Sequence, residues 1–202
     1  MLSACLGLLA IIGCSDEPEP PPRFQLNPQQ AAQEAMKLYD TNGDGVLDAK
    51  ELQASPPLFD LLQNLKAQAS GHPDTLTEAD IAGRLEEWVK DPTTLVPAIP
   101  TVWLDGKPLA GANVTFEPEP FLGPSYHSHQ GETNGAGITQ LDPDFKDRPG
   151  IYVGLYRVRI SKLVSGKDIV PARYNTKTEL GVELATSVRN GTLNTRFELT
   201  NK

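Results

Sequence analysis

Asp40-Thr41-Asn42-Gly43-Asp44-Gly45-Val46-Leu47-Asp48-Ala49-Lys50-Glu51 is the stretch on which the reading of this chain turns. Side-chain oxygens recur at Asp40, Asn42, Asp44 and Asp48 and end on Glu51, with Gly45 where the backbone must turn sharply. Ca²⁺ takes about six to eight hard oxygen ligands, and a loop of this pattern can wrap one ion. The expected ligands are Asp40, Asn42, Asp44, the Val46 carbonyl, Asp48 (often through water) and bidentate Glu51. Carboxylates crowded into so short a segment would repel one another without a cation.

Helices are legible on either side. Asn27-Pro28 reads as an N-cap with a first-turn proline, and Ala32, Ala35, Met36 and Tyr39 then form an apolar stripe at helical spacing. Leu47 is the apolar residue expected to pair across to a partner loop. Leu52 begins an exiting helix, which Ser55-Pro56-Pro57 must cut short before another starts. Leu58, Phe59, Leu61, Leu62 and Leu65 supply that helix's buried face. Thr75 to Ile81 has the shape of the end of a second loop. Aligning Leu76 with Leu47 places Ala69, Gly71 and Pro73 at the first three ligand positions, where none offers a side-chain oxygen, and Asp80 at the twelfth, where it is too short to replace Glu. His72, inside this segment, is expected to be solvent-exposed. A last helix runs from about Glu78, with Ile81, Leu85, Trp88 and Val89 inward. The first loop resembles the EF-hand loop at every specified position. Residues 27–90 resemble an EF-hand pair of the calmodulin-like superfamily, with loop 40–51 intact and the second, about 69–80, degenerate. The resemblance implies one Ca²⁺ per chain.

The charge distribution agrees with a cation binder in the first half. The 202-residue chain has a net charge of −8 and a pI of about 4.9. Residues 14–99 hold 15 acids and 6 bases, whereas residues 100–202 hold 11 acids and 12 bases. An acidic half beside a neutral one suggests two domains of different character. The shortage of clustered Lys and Arg argues against a nucleic-acid partner and against electrostatic attachment to an anionic membrane. At 39% hydrophobic and 22% charged residues the composition is that of a globular protein.

Leu2 to Ile12 is almost wholly apolar or small and ends at Gly13-Cys14, too short for a membrane span but suited to the core of a secretory signal. Ile11-Ile12-Gly13-Cys14 resembles the lipobox of bacterial lipoproteins. That resemblance implies a signal peptide over 1–13, lipidation of Cys14 and a mature protein with no free thiol. No Lys or Arg precedes Arg23, a departure from the usual basic start of such signals. Residues 14–26, rich in proline and acids, read as an extended tether. Ser15 after the cysteine implies the outer membrane, facing the periplasm or the cell surface. The expectation is an exported protein that meets the membrane through its lipid anchor only.

Residues 91–99 carry no helical stripe and read as a linker. Beyond them the period falls to two. Thr101 to Leu104 leads into the turn signal Asp105-Gly106, and Asn113-Val114-Thr115-Phe116 alternates. Asn134-Gly135 marks another turn. Tyr156, Val158 and Ile160 share one face of a strand whose other face holds Arg157 and Arg159, expected to be solvated, and Arg196 to Leu199 makes a last strand. About seven short strands in about 100 residues fit a Greek-key sandwich. Leu104 to Phe116, Asn134-Gly135-Ala136-Gly137 and Gly154-Leu155-Tyr156-Arg157-Val158 resemble carboxypeptidase regulatory-like and transthyretin-like domains, over residues 100–202. The expected fold class is therefore two domains, an all-α EF-hand pair followed by an all-β Greek-key (Ig/transthyretin-like) sandwich. Such modules generally bind or scaffold, so the resemblance implies an extracytoplasmic protein or glycan as partner.

Catalytic motifs are not evident. The chain has no G-x-S-x-G, no phosphate-cradling G-x-x-x-x-G-K and no H-E-x-x-H. Its C-terminus lacks the Tyr-Arg-Gly-Ser ending of transthyretin-like hydrolases. Glu117 and Glu119 read as a surface acid pair. His127-Ser128-His129, with Tyr126, Tyr152, Tyr156 and Tyr174, could imitate the two-Tyr, two-His iron set of intradiol dioxygenases, because i and i+2 on a strand share a face. The expectation is a calcium-binding, non-enzymatic exported lipoprotein. The alternatives are an iron or zinc metalloenzyme using His127 and His129, or an accessory subunit of a glycan- or peptide-processing enzyme.

Overall fold

Asn27 and Ser55 each precede a proline and open a helix by accepting a backbone amide, from Gln30 at 3.1 Å and from Leu58 at 3.4 Å. Thr77 opens the third through a reciprocal capping box with Asp80. The computed structural model describes residues 25–91, 94–146, 148–187 and 195–202. The signal read at 1–13, Cys14 and the tether as far as residue 24 lie outside the described residues. The described elements run α1 (Pro28–Tyr39), β1 (Val46–Leu47), α2 (Pro56–Gln68), β2 (Leu76–Thr77), α3 (Glu78–Lys90), β3 (Leu95–Val96), β4 (Thr101–Leu104), β5 (Lys107–Pro108) and β6 (Asn113–Pro118). They continue with β7 (His129–Glu132), β8 (Ile151–Tyr152), β9 (Gly154–Ser161), β10 (Leu163–Val164), β11 (Lys167–Asp168), β12 (Leu180–Leu184) and β13 (Arg196–Leu199). The chain is thus mixed α/β: three helices in the N-terminal part, then several small sheets that make the C-terminal half mainly β. No helix among the described residues is long and apolar enough to cross a membrane.

The helical part is not purely α, because β1 and β2 pair antiparallel with Leu47 opposite Leu76. The exit from the first loop is a short 3-10 turn over Glu51–Ala54, ended as expected by Ser55-Pro56-Pro57. Two side chains expected inside point out: Phe59 is 47% exposed and Val89 44%. Each follows a buried residue, Leu58 or Trp88, and one residue of helix turns a side chain about 100° away from its neighbour. His72 is also corrected, its side chain being only 13% exposed beside Asp80.

In the β-rich half the largest sheet has the order β12-β9-β6-β7, all antiparallel. A three-stranded sheet, β13-β4-β5, includes a parallel pair, Phe197 opposite Val102. Asp105 and Gly106, at φ +49° and +75°, form the tight turn between β4 and β5. Within the stretch read as a linker, β3 pairs with β8. Val114, Phe116, Tyr156, Val158, Ile160 and Val182 are all buried, and Phe116 meets Phe197 of the three-stranded sheet edge-on at 6.3 Å. Buried residues from the helices and both sheets form one contiguous core.

On the opposite face of the four-stranded sheet α2 packs against β12 and β9, so the solvated face expected there is only partly found, the Arg157 side chain being 26% exposed and that of Arg159 39%. Arg157 donates to the Ala54 carbonyl at 2.7 Å and to Glu119 at 3.3 Å. Glu119, read as a surface acid, is 2% exposed and also accepts from Ser55 Oγ at 3.0 Å and from the Tyr39 hydroxyl. Arg159 pairs with Glu117 at 2.7 Å. At the other end of α2, buried Glu183 accepts from Arg84 Nε and, at 2.8 Å, from Asn64 Nδ2, while its own amide donates to Asp60 at 2.8 Å. Between these contacts Gly181 lets the backbones touch. A Cβ there would stand 2.2 Å from the Pro56 carbonyl carbon and from the Pro57 nitrogen.

Three outcomes follow for denaturant unfolding of the full chain. Arg84→Met leaves Glu183 buried without its cation and should cost about 3–5 kcal/mol. Gly181→Ala should cost about 1–3 kcal/mol by pushing α2 off the sheet. Burial raises the Asp60 carboxyl above the usual carboxylate range, so between its unfolded and folded values the native chain holds more protons and stability falls as pH rises. Asp60→Asn, which can still accept from the Glu183 amide, should flatten that fall and be at least as stable as the parent at pH 7. A loss above about 1 kcal/mol at pH 7, the net worth of an ordinary hydrogen bond, would refute this.

Candidate functional site

The loop from Asp40 to Glu51 begins where α1 ends, the Asp40 amide donating to the Met36 carbonyl at 2.8 Å. From there each acidic or amide side chain turns back on the backbone. Asp40 accepts from the amides of Gly43 at 2.7 Å and Gly45 at 3.0 Å. Asn42 Oδ1 accepts from Asp44 at 2.9 Å, Asp44 Oδ1 from Val46 at 3.0 Å, and Asp48 Oδ1 from Lys50 and Glu51 at 2.8 and 2.9 Å. These local bonds suit Asp and Asn, whose short side chains reach amides a few residues on. Gly43 and Gly45 take φ +72° and +84°, the left-handed region that a side chain would strain.

Glu51 closes the loop. It is 6% exposed, and its Oε1 accepts from the Thr41 amide at 2.8 Å, the Thr41 hydroxyl at 3.1 Å and the Asn42 amide at 3.2 Å. Oε2 accepts from the Asp48 amide at 3.2 Å. The Asp48 amide and the bonds from Thr41 and Asn42 hold this carboxyl below the usual range, so it is ionised at neutral pH. Val46 starts β1, opposite Thr77. The structure therefore places all six expected ligand residues on one turn of chain, closed by Glu51. No three of their carboxylates are drawn as close together as the group described next.

In the second loop Asp80 is occupied as a helix cap, accepting from the Thr77 amide and hydroxyl at 2.8 and 2.7 Å. In the β-rich half, His127 and His129 do approach a common point, although His127 lies before β7 and not on a strand as the i and i+2 reading supposed, and a third residue joins them there. Ligand atoms of His127, His129 and Asp144 all lie within 4.8 Å of one another, the one such group among the described residues. Asp144 was missed because it is fifteen positions from His129 in an irregular loop, where no period relates the two. Three of the four tyrosines read with them have other partners. The Tyr126 and Tyr156 hydroxyls donate to the carbonyls of Val153 and Tyr152, both at 2.9 Å, and Tyr174 lies by Arg173 and Thr200.

No protein-family model matches the chain, and no curated protein matches it. Among solved structures a 9R-lipoxygenase from Cyanothece PCC8801 aligns at 14% identity and a TM-score of 0.26, over 86% of this chain and 23% of the lipoxygenase. The chain thus spans under a quarter of that protein's length, and a likeness this low carries no argument about fold or activity.

Proposed function

We propose that this protein is a calcium-binding, non-enzymatic lipoprotein: residues 27–90 act as an EF-hand pair that binds one Ca²⁺ at loop 40–51. The observation that carries the reading is the buried Glu51 carboxylate, bonded to the amides of Thr41 and Asn42 on one arm of the loop and of Asp48 on the other. A carboxylate so placed needs little reorganisation to offer both oxygens to an ion within the loop. The pairing of Leu47 with Leu76 supports the two-loop reading, and the absence of oxygen donors at Ala69, Gly71 and Pro73 supports a single site. Cys14 is proposed as the lipid anchor, with the chain held at the outer membrane. Residues 100–202 are proposed as a transthyretin-like Greek-key sandwich that binds or scaffolds an extracytoplasmic protein or glycan. That reading rests on the buried inner face shared by the two larger sheets.

The test is calorimetric titration of the full chain with CaCl₂, in parallel with Glu51→Gln. One equivalent should bind to the parent, and the variant should lose on the order of 100-fold or more in affinity, since it removes a charged bidentate ligand. At a hundredfold excess over Kd the ion should stabilise the parent by about 2.7 kcal/mol, a rise in Tm of about 5–10 °C. Absence of calcium heat in the parent, or equal binding in the variant, defeats the proposal.

A further inference from the structure

His129 is buried, its side chain 1% exposed, at the start of β7. Its Nδ1 lies 2.9 Å from the Asp142 carbonyl. A carbonyl can only accept, so Nδ1 carries the proton and Nε2 presents a lone pair. That Nε2 has no hydrogen-bond partner among the described residues and lies 3.7 Å from Asp144 Oδ1. The Asp144 carboxylate is equally well sunk, its side chain 1% exposed. Its Oδ2 accepts from the Tyr152 amide at 2.6 Å, and its Oδ1 is left without a hydrogen bond. His127 Nε2 approaches the same oxygen at 3.0 Å from the solvent side, the His127 side chain being 59% exposed.

Two buried acceptors, each held by a hydrogen bond through its other atom, thus lie 3.7 Å apart with no hydrogen bond between them. Without a positive charge between them this is costly, for a buried polar atom normally has a partner. We propose that His127 Nε2, His129 Nε2 and Asp144 Oδ1 together bind one divalent first-row transition-metal ion.

The distances and chemistry fit such an ion. Metal–ligand bonds of about 2.0–2.2 Å put neighbouring donors about 3.0–3.5 Å apart, against the 3.0 and 3.7 Å found from Asp144 Oδ1 to the two imidazoles. The Asp142 carbonyl on His129 and the Tyr152 amide on Asp144 are the outer contacts that fix a ligand's tautomer and aim. Two imidazoles and one carboxylate select Zn²⁺ or Fe²⁺ over Ca²⁺ or Mg²⁺, which prefer oxygen. The exposed His127 side gives the ion its entrance and leaves coordination positions for water or a ligand from solvent. The walls are aromatic and rigid: Tyr156 meets His129 at 6.2 Å, and Gly154 leaves room for the Tyr126 and Tyr156 rings, which a Cβ would crowd at 2.9 Å.

The test uses the full chain without a polyhistidine tag, stripped with chelator and titrated with ZnCl₂ and CoCl₂ in excess CaCl₂. One equivalent of Zn²⁺ should bind, and Co²⁺ at the same site should give visible d–d absorption that Zn²⁺ bleaches. Because His127 is exposed, His127→Ala should fold as the parent does and lose on the order of 100-fold in Zn²⁺ affinity together with the Co²⁺ spectrum. Glu51→Gln should keep both, which separates this site from the calcium loop. Lack of Zn²⁺ binding in the parent overturns the proposal, as does unchanged binding in His127→Ala or loss of binding in Glu51→Gln.

Discussion

Two buried carboxylates, Glu119 and Glu183, set how the helices sit on the sheet. An ion taken out of water costs several kcal/mol unless its partners are well placed, so each carboxylate is tolerable only in one docking geometry. Glu183 draws Arg84 from α3 and Asn64 from α2, and its own amide engages Asp60, so one strand position holds two helices. The contact closes only because Gly181, two residues earlier, presents bare backbone to Pro56 and Pro57. Apolar burial supplies the adhesion along this seam, and the charges supply its register.

Glu119 links the same seam to loop 40–51. Tyr39 immediately precedes Asp40, and Ser55 lies four residues after Glu51; both donate to Glu119. The two ends of the loop are therefore tied to one carboxylate on the sheet side, while Arg157 bridges Glu119 to Ala54. Burial and the Glu119 carboxylate beside it push the pKa of the Tyr39 hydroxyl well above its ordinary value, so it stays protonated and remains a donor. Fixing both ends lowers the conformational entropy that a loop loses on closing around an ion. The β-rich half thus contributes to loop 40–51 without lending it a ligand.

The helices were legible because local rules govern them: proline after Asn27 and Ser55, the Thr77–Asp80 box, and apolar residues at helical spacing. Their outward errors, Phe59 and Val89, came from extending an apolar stripe by one neighbour. The pairing of Leu47 with Leu76 was legible too, since one loop template supplies both positions. What escaped was set by tertiary contact. Glu119, Glu183 and Arg84 look like surface residues in any single-element reading, and their burial follows only from α2 lying across the sheet. Asp144 escaped for a similar reason. It is delivered to His129 by a loop zipped to β7, where the Asp142 amide donates to the Gln130 carbonyl and the Gln130 amide to the Asp142 carboxylate, contacts that no period in the sequence announces.

The two proposed cation sites differ in how the chain prepares them, and the difference follows from ligand chemistry. In loop 40–51 every carboxylate is satisfied by local amides, so the loop holds its shape through its own backbone and its outer rim, residues 41–45, stays exposed. Such a site can fill and empty with little strain, which suits a hard ion bound through oxygens and water. At His129 and Asp144 the donors are buried and two of their atoms are left unsatisfied, each held in aim by a bond through its other atom. Rigidity of that kind disfavours the empty site and favours a small ion with short, directional bonds. Because imidazole nitrogen is a poor ligand for Ca²⁺ and the acidic loop offers Zn²⁺ no imidazole, the two ions would sort themselves between the proposed sites by donor type. On these proposals one chain would carry both without either displacing the other.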